Sequence, residues 1–390
     1  MIKRHYILLT FIVLTMFSSC KLDYIKYIKH QKDIHTDNDG FSCDANKPDT
    51  VPFVLSSGKI LFEAEIDGKK DTVQFDTGCT IAMVETVSES QRPDVEFFQV
   101  PVNTVNRSKL EMATVPVKYS FANCEIQYTR SIVLMNDVPY CDKELSFKDM
   151  YPIVGTYGLF WRRLKLDFTN SCLRIICHHQ DSIDLTGYQE VKCKYMLLSN
   201  ALKIYLTIDG EEHECLFDTG NESGFIILKD KKRIKGNRQD DLHYEGSFAK
   251  SLSGASDSQR FCTKLGEEVI MGDYQCKDNV MYVPDMSFDN VGIGFISRFD
   301  WVLDPYHDKA YFKPRNIDLE QLNIYPYKLT TVGAEIKIAN RCLSMNPRFE
   351  VGDVIKSVDG EEITEENICH YYELLRETKD WSAFDIQVKK

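Results

Sequence analysis

The sequence predicts a mainly β protein made of two homologous lobes, with a small α+β module at the C-terminus. Three observations carry that expectation. The first is a repeat: Val73-Gln74-Phe75-Asp76-Thr77-Gly78 in the first half returns as Cys215-Leu216-Phe217-Asp218-Thr219-Gly220 in the second. The second is the setting of each copy. Residues 59–66 and 202–208 alternate apolar and polar side chains, as a half-buried strand does, and each run ends in the hairpin dipeptide Asp-Gly (Asp67-Gly68; Asp209-Gly210). The third lies downstream of each copy. Ile153-Val154-Gly155 precedes a hairpin over 164–175 turning at Thr169-Asn170, and Asn290-Val291-Gly292 precedes one over 301–312 turning at His307-Asp308. The aspartates Asp76 and Asp218 lie 142 residues apart, room for one complete small β-lobe per copy. Two chance Asp-Thr-Gly triplets in such a chain have a probability of roughly a few in a thousand at average composition.

Length and composition agree with this division. A chain of 390 residues is expected to hold two or three domains, and 43% apolar with 12% aromatic residues is ample for buried cores. A net charge of −12 and pI of about 5.3 leave no basic footprint, so no nucleic-acid partner is expected. Acidity of this size serves solubility and identifies no partner.

Residues 1–20 read as a targeting segment. Lys3, Arg4 and His5 precede a largely apolar run over 6–17, too short to span a bilayer, and Ser18-Ser19-Cys20 closes it. Small residues before a cysteine resemble a bacterial lipoprotein signal, although Phe17 stands where that pattern usually has Leu. The resemblance implies that Cys20 is lipidated and the protein anchored in the bacterial cell envelope, in the periplasm or at the outer membrane. An ordinary signal peptide or signal anchor with an incidental cysteine is the alternative. Residues 21–50, first basic and then acidic and turn-like, are expected to form a tether with little regular structure.

The first lobe is placed at 51–190 and the second at 191–318. In the first, strands are expected near 96–102, 114–119 and 125–135, with a polar segment over 102–110. In the second, the corresponding hairpin is placed at 244–261, with small residues at its tip. Cys172, Cys177, His178 and His179 could suggest a zinc site. Adjacent residues on a strand point to opposite faces and cannot all converge, so no metal is expected. Export permits disulfides, yet the thirteen cysteines form no compact framework. Cys79, Cys172, Cys177 and Cys215 read as small core residues. The strongest candidate bridge joins Cys262 and Cys276.

The paired motifs, each two apolar residues and Asp-Thr-Gly with a later apolar-apolar-Gly, resemble the aspartic proteases over residues 58–314, as two retropepsin-like lobes fused in one chain in the manner of pepsin. The resemblance implies that Asp76 and Asp218 face each other between the lobes and activate one water, without a cofactor. Like charges in one site cannot both ionise cheaply, so the pair shares a proton. It further implies that Thr77 and Thr219 bond across to the opposite lobe, that Gly78 and Gly220 keep the loops compact, and that the polar segment over 102–110 and the hairpin over 244–261 cover substrate; a plain surface hairpin at 102–110 and a disordered surface loop at 244–261 are the alternatives. Cys79 and Asn221 depart from the family, which places Ser, Thr or Ala after the glycine. Cys79 is a weak donor and the Asn221 amide a good one, so the sequence predicts an uneven dyad with Asp218 the more readily ionised.

From about 325 the texture changes. Val351-Gly352-Asp353-Val354-Ile355 and Val358-Asp359-Gly360 resemble a bacterial PDZ domain over 325–390, with a helix expected over 365–378 and a closing strand at 384–388. Cys342-Leu343-Ser344-Met345-Asn346-Pro347 replaces the usual Ser-Pro-Ala turn, and no Gly-Leu-Gly-Phe-like loop is evident. Peptide capture by strand addition and a structural cap on the second lobe are both open. The expected activity is that of an aspartic endopeptidase acting on extended peptide or protein substrates, competent as a monomer and membrane-associated only through its anchor. A non-catalytic peptide-binding lipoprotein retaining the protease fold is the alternative. A glycosidase also uses paired carboxylates, but the duplicated Asp-Thr-Gly setting counts against it.

Overall fold

The computed structural model describes residues 26–27, 29, 40–101, 109–134, 141, 151–157, 159, 162–177, 182–196, 200–230, 241–251, 254–317 and 324–389. The leader expected over 1–20, with Cys20, lies outside the described residues, as do 102–108, His178 and His179. The chain is mainly β, 55% strand and 9% helix, in two large sheets.

Both halves are built alike, beginning at the Asp-Gly turns. Asp67 and Gly68 have φ of 49° and 81°, Asp209 and Gly210 of 51° and 79°. A two-residue hairpin turn whose twist matches its strands needs positive φ at both central positions, which Asp tolerates and Gly favours. Lys59–Ile66 thereby pairs antiparallel with Lys69–Phe75, and Ala201–Ile208 with Glu211–Phe217. The second strand of each hairpin then lies parallel to a short strand, Ile153–Val154 or Asp289–Val291. That short strand also pairs antiparallel with the strand after the motif, Met83–Val87 or Ile226–Lys229. Each Asp-Thr-Gly therefore sits in a loop between two strands that flank a common neighbour.

The halves share strands and core. Arg163–Asp167 pairs with Cys172–Ile176, Phe299–Asp304 with Lys309–Pro314, and the two hairpins join through Leu164 opposite Leu303 and Leu166 opposite Trp301. The last hairpin of the second half thus extends the sheet of the first. Strand Gln189–Val191, which straddles the expected boundary at 190, pairs with Lys309–Pro314. One apolar cluster runs through both halves and includes Phe75, Phe217, Phe299, Trp301 and Phe312. Trp301 meets Phe217 edge-on at 4.8 Å, a favoured aromatic geometry.

Part of the segment read as a tether is built into this body. Gly40–Cys43 pairs with Cys124–Leu134, and Cys43 forms a disulfide with Cys177, their Cα atoms 6.3 Å apart. The expected Cys262–Cys276 bridge is not formed, because Cys262 lies opposite Tyr282 and Cys276 opposite Val269 across the same strand pair. Nearer the N-terminus, Tyr27 is buried against Val84, Phe98, Val100, Leu110, Met112 and Val133, and its hydroxyl lies 2.9 Å from Ser131 Oγ.

The C-terminal residues form a small α+β unit. Tyr327–Val332, Glu335–Cys342, Val354–Val358 and Ile386–Lys389 make its strands, with helix Ile368–Glu377 packed on them. Its own core includes Leu329, Ile336, Ile338, Ile355, Val358, Ile368, Leu375 and Trp381. The unit is joined to the second half by strand pairing: Leu242–Gly246 lies antiparallel to Glu335–Cys342, with Tyr244 opposite Cys342 and Gly246 opposite Asn340. Arg341 binds the Glu245 carboxylate through Nε at 3.0 Å and Nη2 at 2.6 Å, and Asn340 Nδ2 donates to the Ser247 carbonyl at 3.1 Å.

Candidate active site

The two motif loops meet through their threonines. Thr77 and Thr219 are 2% and 0% exposed, so their polar atoms must find partners within the protein. Each finds them in the other half. Thr77 Oγ1 donates to the Phe217 carbonyl at 2.7 Å and accepts the Thr219 N–H at 3.0 Å. Thr219 Oγ1 donates to the Phe75 carbonyl at 3.1 Å and accepts the Thr77 N–H at 2.9 Å. Four hydrogen bonds related by an approximate two-fold thus lock the base of one loop to the base of the other.

This lock brings the aspartates together. Asp76 Oδ1 accepts the N–H groups of Gly78 (2.8 Å) and Cys79 (3.0 Å), and Asp218 Oδ1 accepts those of Gly220 (3.0 Å) and Asn221 (3.1 Å). The two carboxyls lie close enough to interact with each other, by charge and through a side-chain hydrogen bond. The glycines permit the approach. A Cβ on Gly78 would overlap the carboxyl of Asp218, and one on Gly220 the carboxyl of Asp76. A Cβ on Gly155 would likewise strike the carbonyls of Ile81 and Cys79, and one on Gly292 would lie 2.8 Å from the Ser223 carbonyl.

Electrostatics separates the two carboxyls. Burial, and then the charge of Asp218, push Asp76 up to about 8 against the lowering effect of its two backbone donors. Asp218 is also raised by burial, but the Asn290 side chain, the Gly220 and Asn221 N–H groups and a hydrogen bond from Asp76 all oppose the rise. The donors therefore favour the charge on Asp218 and the proton on Asp76, in a low-dielectric site where like charges cannot both ionise cheaply.

The two residues after the glycines act differently from the donor roles expected of them. The Cys79 thiol is directed at the Ile81 carbonyl (3.9 Å), and burial, then Asp76, raise it far above the ordinary thiol range. The Asn221 amide does not reach Asp218. Its Nδ2 donates to Asn290 Oδ1 at 2.7 Å, and Asn290 Nδ2 donates to Asp218 Oδ2 at 2.7 Å. Asn290 was visible in the sequence only as the first residue of an apolar-Gly landmark. The signal was the mismatch with Ile153 in the first copy.

Two hairpins flank the loops. Phe98–Pro101 pairs with Lys109–Phe121, and Leu242–Gly246 with Gln259–Met271, their tips at 102–108 and 252–253 lying outside the described residues. The first packs with Cys79 and Ile81, the second with Phe225 and Ile227. Among the described residues, Cys43, Cys124 and Cys177 bring three sulfurs within 4.8 Å of one another. The disulfide consumes two of them and leaves one buried thiol, which is no metal site.

A scan against protein-family models finds no match to this chain, and a search of curated proteins finds none either.

Proposed function

We propose that the protein is an aspartic endopeptidase whose two halves are retropepsin-like lobes, with Asp76 and Asp218 as its catalytic dyad. The observation that supports this reading is the reciprocal lock of Thr77 and Thr219, which brings the loops of Asp76 and Asp218 together. In this reading a water lies against both carboxyls. Asp218, ionised, takes a proton from it as the water oxygen bonds to the carbonyl carbon of a peptide. Asp76 gives its proton toward the carbonyl oxygen, which becomes a hydroxyl in the tetrahedral intermediate. Collapse breaks the C–N bond: the amide nitrogen takes the proton held by Asp218, and one hydroxyl of the intermediate gives its proton to Asp76 as the carbonyl re-forms, so the pair returns to its singly protonated state. Substrates are extended polypeptides, since a cleft between β-lobes with hairpins on either side accommodates a strand-like segment.

The C-terminal unit is a PDZ-like domain in this reading, and its pairing with Leu242–Gly246 favours a role in shaping the second hairpin. The chain is lipid-anchored at Cys20 in the bacterial envelope and acts as a monomer. The test is incubation of the protein lacking residues 1–20 with a diverse peptide pool, with products mapped by mass spectrometry. Cleavage abolished by both Asp76→Asn and Asp218→Asn supports the dyad. Substantial activity in either purified variant overturns it, and peptide binding without cleavage by the wild type assigns the fold to a binding protein.

A further inference from the structure

We propose that Asn290 is a positioning residue of the dyad: its amide, held in place by Asn221, fixes Asp218 as the ionised partner and Asp76 as the acid. This rests on the endopeptidase reading for its consequence in turnover, though the geometry stands without it. Asn290 is 5% exposed, and both ends of its amide are used. Nδ2 donates to Asp218 Oδ2 at 2.7 Å, and Oδ1 accepts Asn221 Nδ2 at 2.7 Å. Asn221 Oδ1 in turn accepts the Ser223 N–H at 3.0 Å. The chain of donors runs one way, from a backbone N–H that cannot reverse to a carboxylate that cannot donate. Flipping Asn290 would set its carbonyl against the Asp218 carboxylate, and flipping Asn221 would set its NH2 against the Ser223 N–H, so the orientation is determined.

The other half has no equivalent among the described residues. Asn290 lies opposite Leu216 on a strand parallel to the one leading into Asp218, and the residue in that place beside Asp76's strand is Ile153, opposite Gln74. Ile153 carries no side-chain donor, and the Cys79 thiol is directed at Ile81. Asp76 thus keeps two backbone donors on one oxygen, whereas Asp218 has donors on both. A donor on a carboxylate favours the charged form, and a charge-assisted bond of this length is among the stronger kinds. The remaining ionisable groups around this strand are engaged elsewhere. Asp289, the preceding residue, faces His213 Nδ1 at 3.2 Å and the Lys229 N–H at 2.7 Å, and Glu222 on the motif loop pairs with Lys59 at 3.4 Å. Among the described side chains, Asp76, the Cys79 thiol and Asn290 are those that bear on the charge of Asp218 at close range.

The test has two readouts. The first is the pH profile of kcat/KM on a cleaved peptide for wild type, Asn290→Leu and Asn290→Ser. Asn290→Leu is near in size and has no donor, and is expected to move the acid limb upward by about one unit, a tenfold loss on that side. The loss is expected in kcat with KM little changed, and Asn290→Ser, which restores a donor, is expected to recover part of it. The second readout needs no turnover. An epoxide esterifies an ionised carboxylate, whose oxygen bonds to the epoxide carbon while the ring oxygen opens and takes a proton from water. Mapping by mass spectrometry is expected to find the ester on Asp218 in wild type and spread to Asp76 in Asn290→Leu. If wild type cleaves nothing yet labels at Asp218, the endopeptidase reading fails and the assignment of Asn290 stands. An unshifted limb with labelling still confined to Asp218 in Asn290→Leu overturns the assignment. Should Asn290→Leu not fold, Asn221→Ala, which releases the Asn290 amide, is expected to shift both readouts the same way. No shift there overturns it equally.

Discussion

Replacing Thr219 with Val tests whether the two halves are locked through the motif threonines. The side chain keeps its shape and loses its hydroxyl, in a site that is fully buried. Two backbone groups lose their partners: the Phe75 carbonyl, which accepts from Thr219 Oγ1 at 3.1 Å, and the Thr77 N–H, which donates to it at 2.9 Å. A buried backbone group left unsatisfied costs about 1–3 kcal/mol, so the pair amounts to about 2–6 kcal/mol. That is a large part of the 5–15 kcal/mol typical of a folded domain, roughly. Urea unfolding followed by tryptophan fluorescence measures it as a fall in midpoint. Thr219→Ser keeps the hydroxyl and serves as control, losing only a methyl. If Thr219→Val stays within about 0.5 kcal/mol of wild type, as ordinary surface changes do, or if Thr219→Ser loses as much, the lock is not what joins the halves.

Four further outcomes are expected. Asp76 is raised to about 8, so between its unfolded value near 3.8 and that pH the folded state holds a proton the unfolded state releases. Wild-type stability therefore falls as pH rises from about 4 to about 8, and Asp76→Asn reduces that slope, melting higher than wild type at pH 8 by ~5 °C but not at pH 4. Gly220→Ala places a methyl against the Asp76 carboxyl and must displace it by about 1 Å, which should lower kcat by about 100-fold with the fold intact by circular dichroism. Deleting residues 325–390 strips a paired neighbour from Leu242–Gly246, so it should alter substrate preference or stability more than kcat on a short peptide. Cys20→Ala should move the protein from the membrane fraction to the soluble or precursor fraction, because lipidation needs that thiol.

The parts of the fold written in local chemistry were legible in the sequence. Asp67-Gly68 and Asp209-Gly210 announce turns that only positive φ can make, and alternation in 59–66 and 202–208 fixes which side chains face the core. Other parts depend on residues that meet only after folding. The Cys43–Cys177 bridge closes a separation of 134 residues, and no local spacing distinguishes it from the Cys262–Cys276 pair that strand register keeps apart. The route from Asn221 to Asp218 was legible in chemistry and not in geometry. An amide beside the motif was visible, but its Nδ2 meets Asn290, 69 residues away, on a strand of three residues. The junction of Leu242–Gly246 with Glu335–Cys342 joins two segments that each read as an ordinary half-buried strand, and nothing in either names the other.

That junction makes the two hairpins beside the motif loops mechanically unequal. Among the described residues, Phe98–Pro101 stands at the end of its sheet, whereas Leu242–Gly246 lies inside a sheet that continues into Glu335–Cys342 and Val354–Val358. Backbone ladders carry displacement along and across strands with little slack, and the Arg341–Glu245 fork adds a second attachment at the seam. Bending the second hairpin outward therefore means moving the whole C-terminal unit, with helix Ile368–Glu377 and its core as inertia. The first hairpin leans instead on an aromatic ring, Tyr27, supplied by the segment that leads back to the N-terminus. One hairpin has a folded unit fastened to it, and the other rests on the Tyr27 ring.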